Sequence, residues 1–317
     1  MASICVPVYN GAEFLEAALT SATSQTVNDL EIVVVDGGST DDSVEIARSI
    51  GDARVRVVAT GANDGMVPNW NRTVELSRGR YVKFLFQDDL LAPTCVERMV
   101  EVFEANPSVG LVFSPRDILV EDADGAYAQG WLRYNQDVHA FLGDLQEVND
   151  GHAIVMRHAA DGFESNRIGE PTCVMIERSW FERLGTFNLR MRQLVDVEMW
   201  LRVLYHADAG FIDERLASFR VHTAATTAGN LDSGVGWLDR LWIVEGMLQL
   251  PDLVPEDADT FRRLRAHCMR RIGRHEAWRL KHGHRPSFIS DGGSLRDYVA
   301  YRRELARGRQ PALHGAL

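Results

Sequence analysis

Two carboxylates stand side by side at Asp88-Asp89, directly after the apolar run Tyr81 to Phe86. That run is too short and too aromatic for a helix and reads as a buried strand, so the acids mark a strand end. In an open α/β sheet, ligands bind in the crevice outside the carboxyl ends of the strands. Adjacent acids repel unless positive charge lies near them, and a divalent cation carrying a diphosphate answers that need. Mg²⁺ or Mn²⁺ suits such oxygen donors. The plainer alternative is an acidic start to the helix that begins near Pro93. A further acid, Asp36, ends the apolar run Leu30 to Val35 and precedes Gly37-Gly38-Ser39-Thr40-Asp41-Asp42. It either joins the same edge or forms an Asx turn before the glycines. Asp196 opens the apolar helical stretch Val195 to Tyr205, where it can act as a base or simply favour the helix dipole. His222 follows a strand-like Phe219-Arg220-Val221 and is either a ligand or a hydrogen-bonded side chain.

These residues need a sheet to bring them together. The chain alternates: strand Ile4 to Tyr9, helix Ala12 to Thr23, strand Leu30 to Val35, helix to Ile50, strand Val55 to Ala59, helix Val67 to Ser77, strand Tyr81 to Phe86. Such alternation predicts a parallel sheet covered by helices on both faces. Asp36 and Asp88-Asp89 then lie on one edge of it. Further on, the pattern predicts a helix over Thr94 to Ala105, a strand over Gly110 to Ser114 and an irregular hairpin over 115 to 135 turning at Asp124-Gly125. It also predicts helix over Gly143 to Ser165, a strand over Thr172 to Ile176, and an amphipathic helix over Val195 to Tyr205. Helical periodicity continues from Trp237 to Leu250, Ala258 to His282 and Ser294 to Gly308.

Bulk properties narrow the function. The net charge of −11 argues against nucleic acid as a partner, because phosphate binding needs a basic surface. Residues 251 to 317 nevertheless carry 14 Lys+Arg against 8 Asp+Glu, leaving 20 against 37 for residues 1 to 250. The basic helix, with Arg262, Arg263, Arg265, Arg270, Arg271 and Arg274 outward and Phe261, Leu264, Cys268, Met269 and Ile272 inward, reads as a solvated or homodimer-forming face. A peripheral contact with an anionic membrane is the sharper alternative. Cys5, Cys95, Cys173 and Cys268 are scattered and form no CxxC pair, as expected of reduced thiols. No basic leader or long apolar run occurs, so the expected setting is cytoplasmic. Neither GxGxxG nor GxxxxGK[ST] is present, which disfavours dinucleotide and P-loop chemistry.

Taken in order, Val6-Pro7-Val8-Tyr9-Asn10-Gly11, Val33-Val34-Val35-Asp36-Gly37-Gly38-Ser39-Thr40-Asp41, Phe86-Gln87-Asp88-Asp89, Gly169-Glu170-Pro171-Thr172, Asp196-Val197-Glu198-Met199-Trp200-Leu201-Arg202 and Arg220-Val221-His222 resemble the family 2 glycosyltransferases of GT-A fold. The resemblance covers residues 3 to 225. It implies a Rossmann-like α/β sheet with flanking helices, plus a C-terminal helical extension. The implied parts are a nucleotide-sugar half over 1–110, an acceptor half over 111–230 and the extension over 231–317. It also implies inverting transfer of a sugar from a UDP-, GDP- or dTDP-linked donor to a hydroxyl of a glycan, lipid-linked or secondary-metabolite acceptor.

Carried over residue by residue, Pro7, Val8, Tyr9, Asp36, Asn63, Gly65, Asn71, Gln87 and Asp88 would hold the nucleotide, with Asp36 on the base. Asp89 would ligate Mg²⁺ or Mn²⁺ with His222 beside it, Glu170 would face the acceptor, and Asp196 would be the catalytic base. The chain departs from the family at Gly37, where a second Asp is common, at Gln87-Asp88-Asp89, which replaces Asp-x-Asp, and at Val195, where Glu often precedes the base. A sugar nucleotidyltransferase would want a Gly-rich basic loop after the first strand. An inactive nucleotide-sugar-binding protein is the other alternative. A processive membrane synthase is disfavoured, since there is no span and no Gln-x-x-Arg-Trp.

Overall fold

Apolar and β-branched residues dominate β1 (Ala2–Val8), and all seven of its residues are buried. Strands buried on both faces read as continuous apolar runs, the signature of a parallel sheet. The computed structural model describes residues 1–121, 125–222, 235–284, 294–309, 311–315 and 317. β1 pairs in parallel with β2 (Leu30–Asp36) on one side and β4 (Tyr81–Phe84) on the other, and β2 pairs in parallel with β3 (Val55–Ala59). Helices α1 (Leu15–Thr23), α2 (Ser43–Ser49) and α3 (Met66–Leu76) make the crossovers.

Beyond β4 the sheet continues with β9 (Val174–Glu177), β6 (Val109–Phe113), β10 (Asp208–Phe211) and β8 (Val148–Asn149), in the order β3-β2-β1-β4-β9-β6-β10-β8. β9 runs antiparallel to both β4 and β6, while β10 is parallel to β6. A small second sheet joins β5 (Leu90–Leu91), β11 (Ala217–Val221) and β7 (Arg116–Val120).

The cleft originates where β1 and β4 part. Their pairing ends at Cys5 and Phe84, with Leu85 N–H still donating to Cys5 O at 3.0 Å. Pro7 lies beyond that point and has the same strand parity as Cys5, so its missing N–H falls on the side that β4 has left. A proline is tolerated in a strand only where no ladder bond is lost.

Several segments depart from expectation. Residues 115–135 form no hairpin: β7 pairs in parallel with the distant β11, and α5 (Ala126–Asn135) follows. The expected turn at Asp124 lies outside the described residues. The stretch 143–165 holds β8 and then α6 (Gly151–Ala160), whose cap Asp150 accepts from Ala153 N–H at 3.0 Å. Helix α8 (Val195–Leu204) is not amphipathic, because every one of its residues is buried. It is sandwiched by β6, by α6, and by α9 (Val235–Met247) of the C-terminal part.

Two long helices complete the chain, α10 (Pro255–Lys281) and α11 (Ser294–Ala306). Along α10, Phe261, Cys268 and Ile272 face the core as the periodicity requires, but Met269 is exposed and Arg265 turns inward to within 3.7 Å of Glu245. One apolar core runs from Ile4 through Trp200 to Trp242 and Phe261. No helix among the described residues is long and apolar enough to cross a membrane.

Candidate active site

A cleft of about 520 Å³ opens at the carboxyl ends of β1 and β4, within the range that encloses small-molecule ligands. Its floor begins at Pro7, Val8 and Tyr9. Tyr9 N–H donates to Gln87 Oε1 at 2.8 Å, and Gln87 Nε2 donates to Tyr9 O at 3.2 Å. This pair of hydrogen bonds bridges the parted strand ends. The Gln87 side chain presses so closely on Gly11 that a Cβ there would lie 2.5 Å from its Cδ. Gln87 is therefore both wall and brace.

Asp36 is buried and faces its own loop. Its Oδ2 accepts from Gly38 and Ser39 N–H at 3.0 Å each, and its Oδ1 from the Ser39 hydroxyl. The wall is made by Gly37 instead. Asp36, the residue expected at the base, is thus engaged in an Asx turn with its own loop.

At the start of α3, Asn63 accepts from Gly65 N–H at 2.9 Å, and both residues line the cleft with Met66, Asn69 and Trp70. Asn71 does not. It is buried and grips the backbone of Phe187, donating to its O at 3.0 Å and accepting from its N at 2.9 Å. Two residues along a helix reverse the facing direction. Asn69 takes the cleft side instead, donating to Val8 O and Val35 O at 3.2 Å each.

The two neighbouring carboxylates also separate. Asp88 lines the cleft, and His222 Nε2 stands 3.0 Å from its Oδ2. Asp89 is fully buried, accepting the Thr172 hydroxyl at 2.6 Å and Arg220 N–H at 2.9 Å. Burial, and next the charge of Asp88, push its carboxyl well above the ordinary range. Asp89, the residue expected to hold the metal, is thus bonded inward on both oxygens, and it is Asp88 that lines the cleft. Asp89 anchors β11, and with it His222, to the β4 end. Arg220 adds to this tie by donating Nε to Asp88 O at 2.8 Å.

Glu170 also lines the cleft and is held by Arg116, whose Nη2 donates to Oε1 at 2.9 Å while Nε lies 2.7 Å from Oε2 as an ion pair. A charge-assisted contact of this kind is stronger than a neutral one. Asp196, second residue of α8, also faces the cleft and is 8% exposed. Its Oδ2 accepts from Asn166 Nδ2 at 2.8 Å and its Oδ1 from Val197 N–H at 2.8 Å. Burial foremost, with the nearby Glu170 charge, pushes its carboxyl up to about 7. A carboxylate poised near neutrality suits proton abstraction.

Sequence reasoning missed Asn166, Arg116 and Asn69. Asn166 accepts from Ile168 and Gly169 N–H, so Asn166-Arg-Ile-Gly169 is a turn signal that could have been read. Arg116, a buried cation that opens a short strand, was the other clue.

The residues present fit a divalent cation only in part. Asp88, which lines the cleft, has one imidazole, His222, bonded to it, and no cluster of three or more such side chains occurs among the described residues. Two protein donors suffice where substrate phosphates and water supply the rest.

Comparison with known proteins follows the same lines. The family profile described as Glycosyl transferase family 2 matches residues 3–185. An uncharacterized protein of Mycobacterium tuberculosis (strain CDC 1551 / Oshkosh) is 35% identical over 71% of this chain and 68% of its own length. An uncharacterized glycosyltransferase of Rickettsia typhi is 26% identical over 72% of this chain and 66% of its own. Among solved structures, S. aureus TarS 1-349 in complex with UDP superposes with a TM-score of 0.60 at 15% identity, covering 84% of this chain and 70% of that one. A mannosyltransferase from Pyrobaculum calidifontis, in complex with GDP-Man and Mn²⁺, gives a TM-score of 0.56 at 18% identity over 96% and 83%. These likenesses show the same GT-A architecture of mostly parallel sheet and flanking helices. The chain belongs to glycosyl transferase family 2 and is a transferase.

Proposed function

We propose that this protein moves a sugar from a nucleotide-diphosphate donor to an acceptor hydroxyl by direct displacement, with Asp196 as the base. One observation carries the reading. A single cleft is lined by Tyr9, Gln87, Asp88 (with His222 bonded behind it), Glu170 and the poised carboxylate of Asp196. In this arrangement residues 1–110 hold the donor and residues 111–230 the acceptor.

The acceptor hydroxyl bonds to the anomeric carbon while Asp196 takes its proton. The bond from that carbon to the diphosphate oxygen breaks, and the nucleoside diphosphate leaves with the electron pair, so the anomeric configuration inverts. The acceptor hydroxyl must be fixed at attack distance, a task for Glu170 and its Arg116 partner. Asp88 and His222 would hold Mg²⁺ or Mn²⁺, which when bound neutralises charge on the departing diphosphate. The complexes of the structural relatives support a nucleotide-sugar donor in this fold: UDP in TarS, and GDP-Man with Mn²⁺ in the archaeal mannosyltransferase.

Thermal melts with UDP-, GDP- and dTDP-sugars, each with and without Mn²⁺, test this. A donor at a hundred times its dissociation constant adds about 2.7 kcal/mol of stability. We expect one nucleotide class to stabilise, and to do so only with metal. No stabilisation by any of them would overturn the proposal.

A further inference from the structure

We propose that the C-terminal helices complete the active site and that Asp239 of α9 is the positioning residue for Asp196; this rests on the base assignment above. Helix α8 carries Asp196 one position from its start, yet its N-cap residue is Leu194, which has no side chain able to cap. The amide at a helix N-cap needs an acceptor, and leucine supplies none. Asp239, from another helix, accepts at this cap position and at the two residues that lead into it. Its buried carboxylate accepts from Gln193 N–H at 2.6 Å, Leu194 N–H at 2.9 Å and Arg192 N–H at 3.2 Å, all through Oδ2. A carboxylate at a helix N-terminus also meets the favourable end of the dipole. Arg192, Gln193 and Leu194 line the cleft. One side chain from beyond the family-matched residues 3–185 thus sets both a wall of the site and the pose of its base.

A second arm reaches the other partner of Asp196. Arg240, next to Asp239, donates to Glu164 O at 3.1 Å. Phe163 has φ of 56°, a conformation that side chains other than glycine rarely adopt. It is held there by burial, stacked 6.4 Å from Phe261 of α10. The loop so pinned ends at Asn166, the donor to Asp196 Oδ2. Further along α8, Gly246 lets α9 approach Glu198 so closely that a Cβ there would lie 2.4 Å from Glu198 Oε1. From the chain end, His314 Nε2 meets the same oxygen at 2.7 Å. Both hydrogen-bonding sides of Asp196, and the helix that bears it, lean on the extension.

Full-length Asp239→Ala and Asp239→Asn proteins test the inference. The readout is release of nucleoside diphosphate, with water as acceptor, from UDP-N-acetylglucosamine or GDP-mannose, whichever the wild type hydrolyses. Misplacing a reacting group by about 1 Å costs about a hundredfold in rate. We expect that loss of kcat in the alanine variant. In the asparagine variant, which keeps one acceptor oxygen, we expect a loss of about tenfold. Donor KM and the number of nucleotide sites per chain should stay at wild-type values in both. Wild-type kcat in the variants, or a rate loss that merely follows lost nucleotide sites, would overturn the inference. If the alanine variant does not fold, the asparagine variant decides by the same two outcomes. Asp196→Asn is measured alongside. If it stays active, the base assignment fails and this inference with it; if it is inactive beside fully active Asp239 variants, only the inference fails.

Discussion

Asp88 and Asp89 share a peptide bond and little else. Asp88 faces the cleft and His222, while Asp89 is buried between the Thr172 hydroxyl and Arg220 N–H. Asp88→Asn should therefore abolish the metal-dependent part of nucleotide binding and leave the melting temperature near wild type, both read by thermal melts with and without Mn²⁺. Asp89→Ala should do the reverse. It strands a buried donor on each side, at roughly 1–3 kcal/mol apiece, while surviving folded protein still binds nucleotide with metal. Asp196 gives a pH signature. Its carboxyl ionises near 7 in the folded protein, against about 3.8 as the ordinary value. Turnover should fall as pH drops through 7, because the base becomes protonated. For stability, a raised folded pKa means that the contribution is complete below about 4 and is lost as pH rises through 7. Asp196→Asn should then melt higher than wild type at pH 8, by on the order of a few kcal/mol, while losing activity. Equal melting of the two proteins at pH 8 would contradict this.

At the scale of elements, α3 serves two masters with residues two apart. Asn69 braces the ends of β1 and β2 below the cleft, and Asn71 clamps the backbone at Phe187 on the far side. Asn71→Ala removes two buried hydrogen bonds at once, leaving the Phe187 amide unpartnered. We expect a loss of about 2–3 kcal/mol in denaturant unfolding, with unchanged nucleotide affinity per folded molecule. Lower affinity at full occupancy of folded sites would restore Asn71 to the nucleotide pocket. Helix α8 behaves similarly: wholly buried, it carries Asp196 at one end and the internal pair Glu198–Arg202, at 3.0 Å, along its length. Removing one partner of such a pair is costly because the other charge stays buried.

One large core joins most of the molecule. Strands of the eight-stranded sheet and helices α9 and α10 contribute to it, while Ala128, Trp131 and Val221 form a small separate cluster with Ile118 and Val120 of β7. Part of the basic tail is also internal in purpose, since Arg302 and Arg265 lie 3.3 and 3.7 Å from the buried Glu245 and Tyr298 donates to it at 2.7 Å. Scanning calorimetry should consequently show one cooperative transition. A chain ended at residue 230 should be insoluble or lack a sharp melt, because it would bare Asp196's helix and the apolar faces that α9 covers. Two separable transitions, or a well-folded truncation, would show the extension to be an independent domain.

The strand-helix alternation, the acids at strand ends and the ordered motifs were legible because each is written in local spacing: apolar periods, glycine turns, carboxylates at run ends. The family and the position of Asp196 followed from them. Spacing could not tell Asp88 from Asp89 or Asn69 from Asn71, since which neighbour faces the ligand depends on how strands and helices dock. It also missed β10 and read β7 and α5 as a hairpin, because β7 pairs with β11, about a hundred residues away in sequence. Asp36, read as a base contact, also holds its own turn together, which spacing alone did not show. Asp239 lies 45 residues from the Leu194 amide it satisfies. A helix with no cap of its own announces only that an acceptor is missing, and the tertiary structure decides which residue provides it.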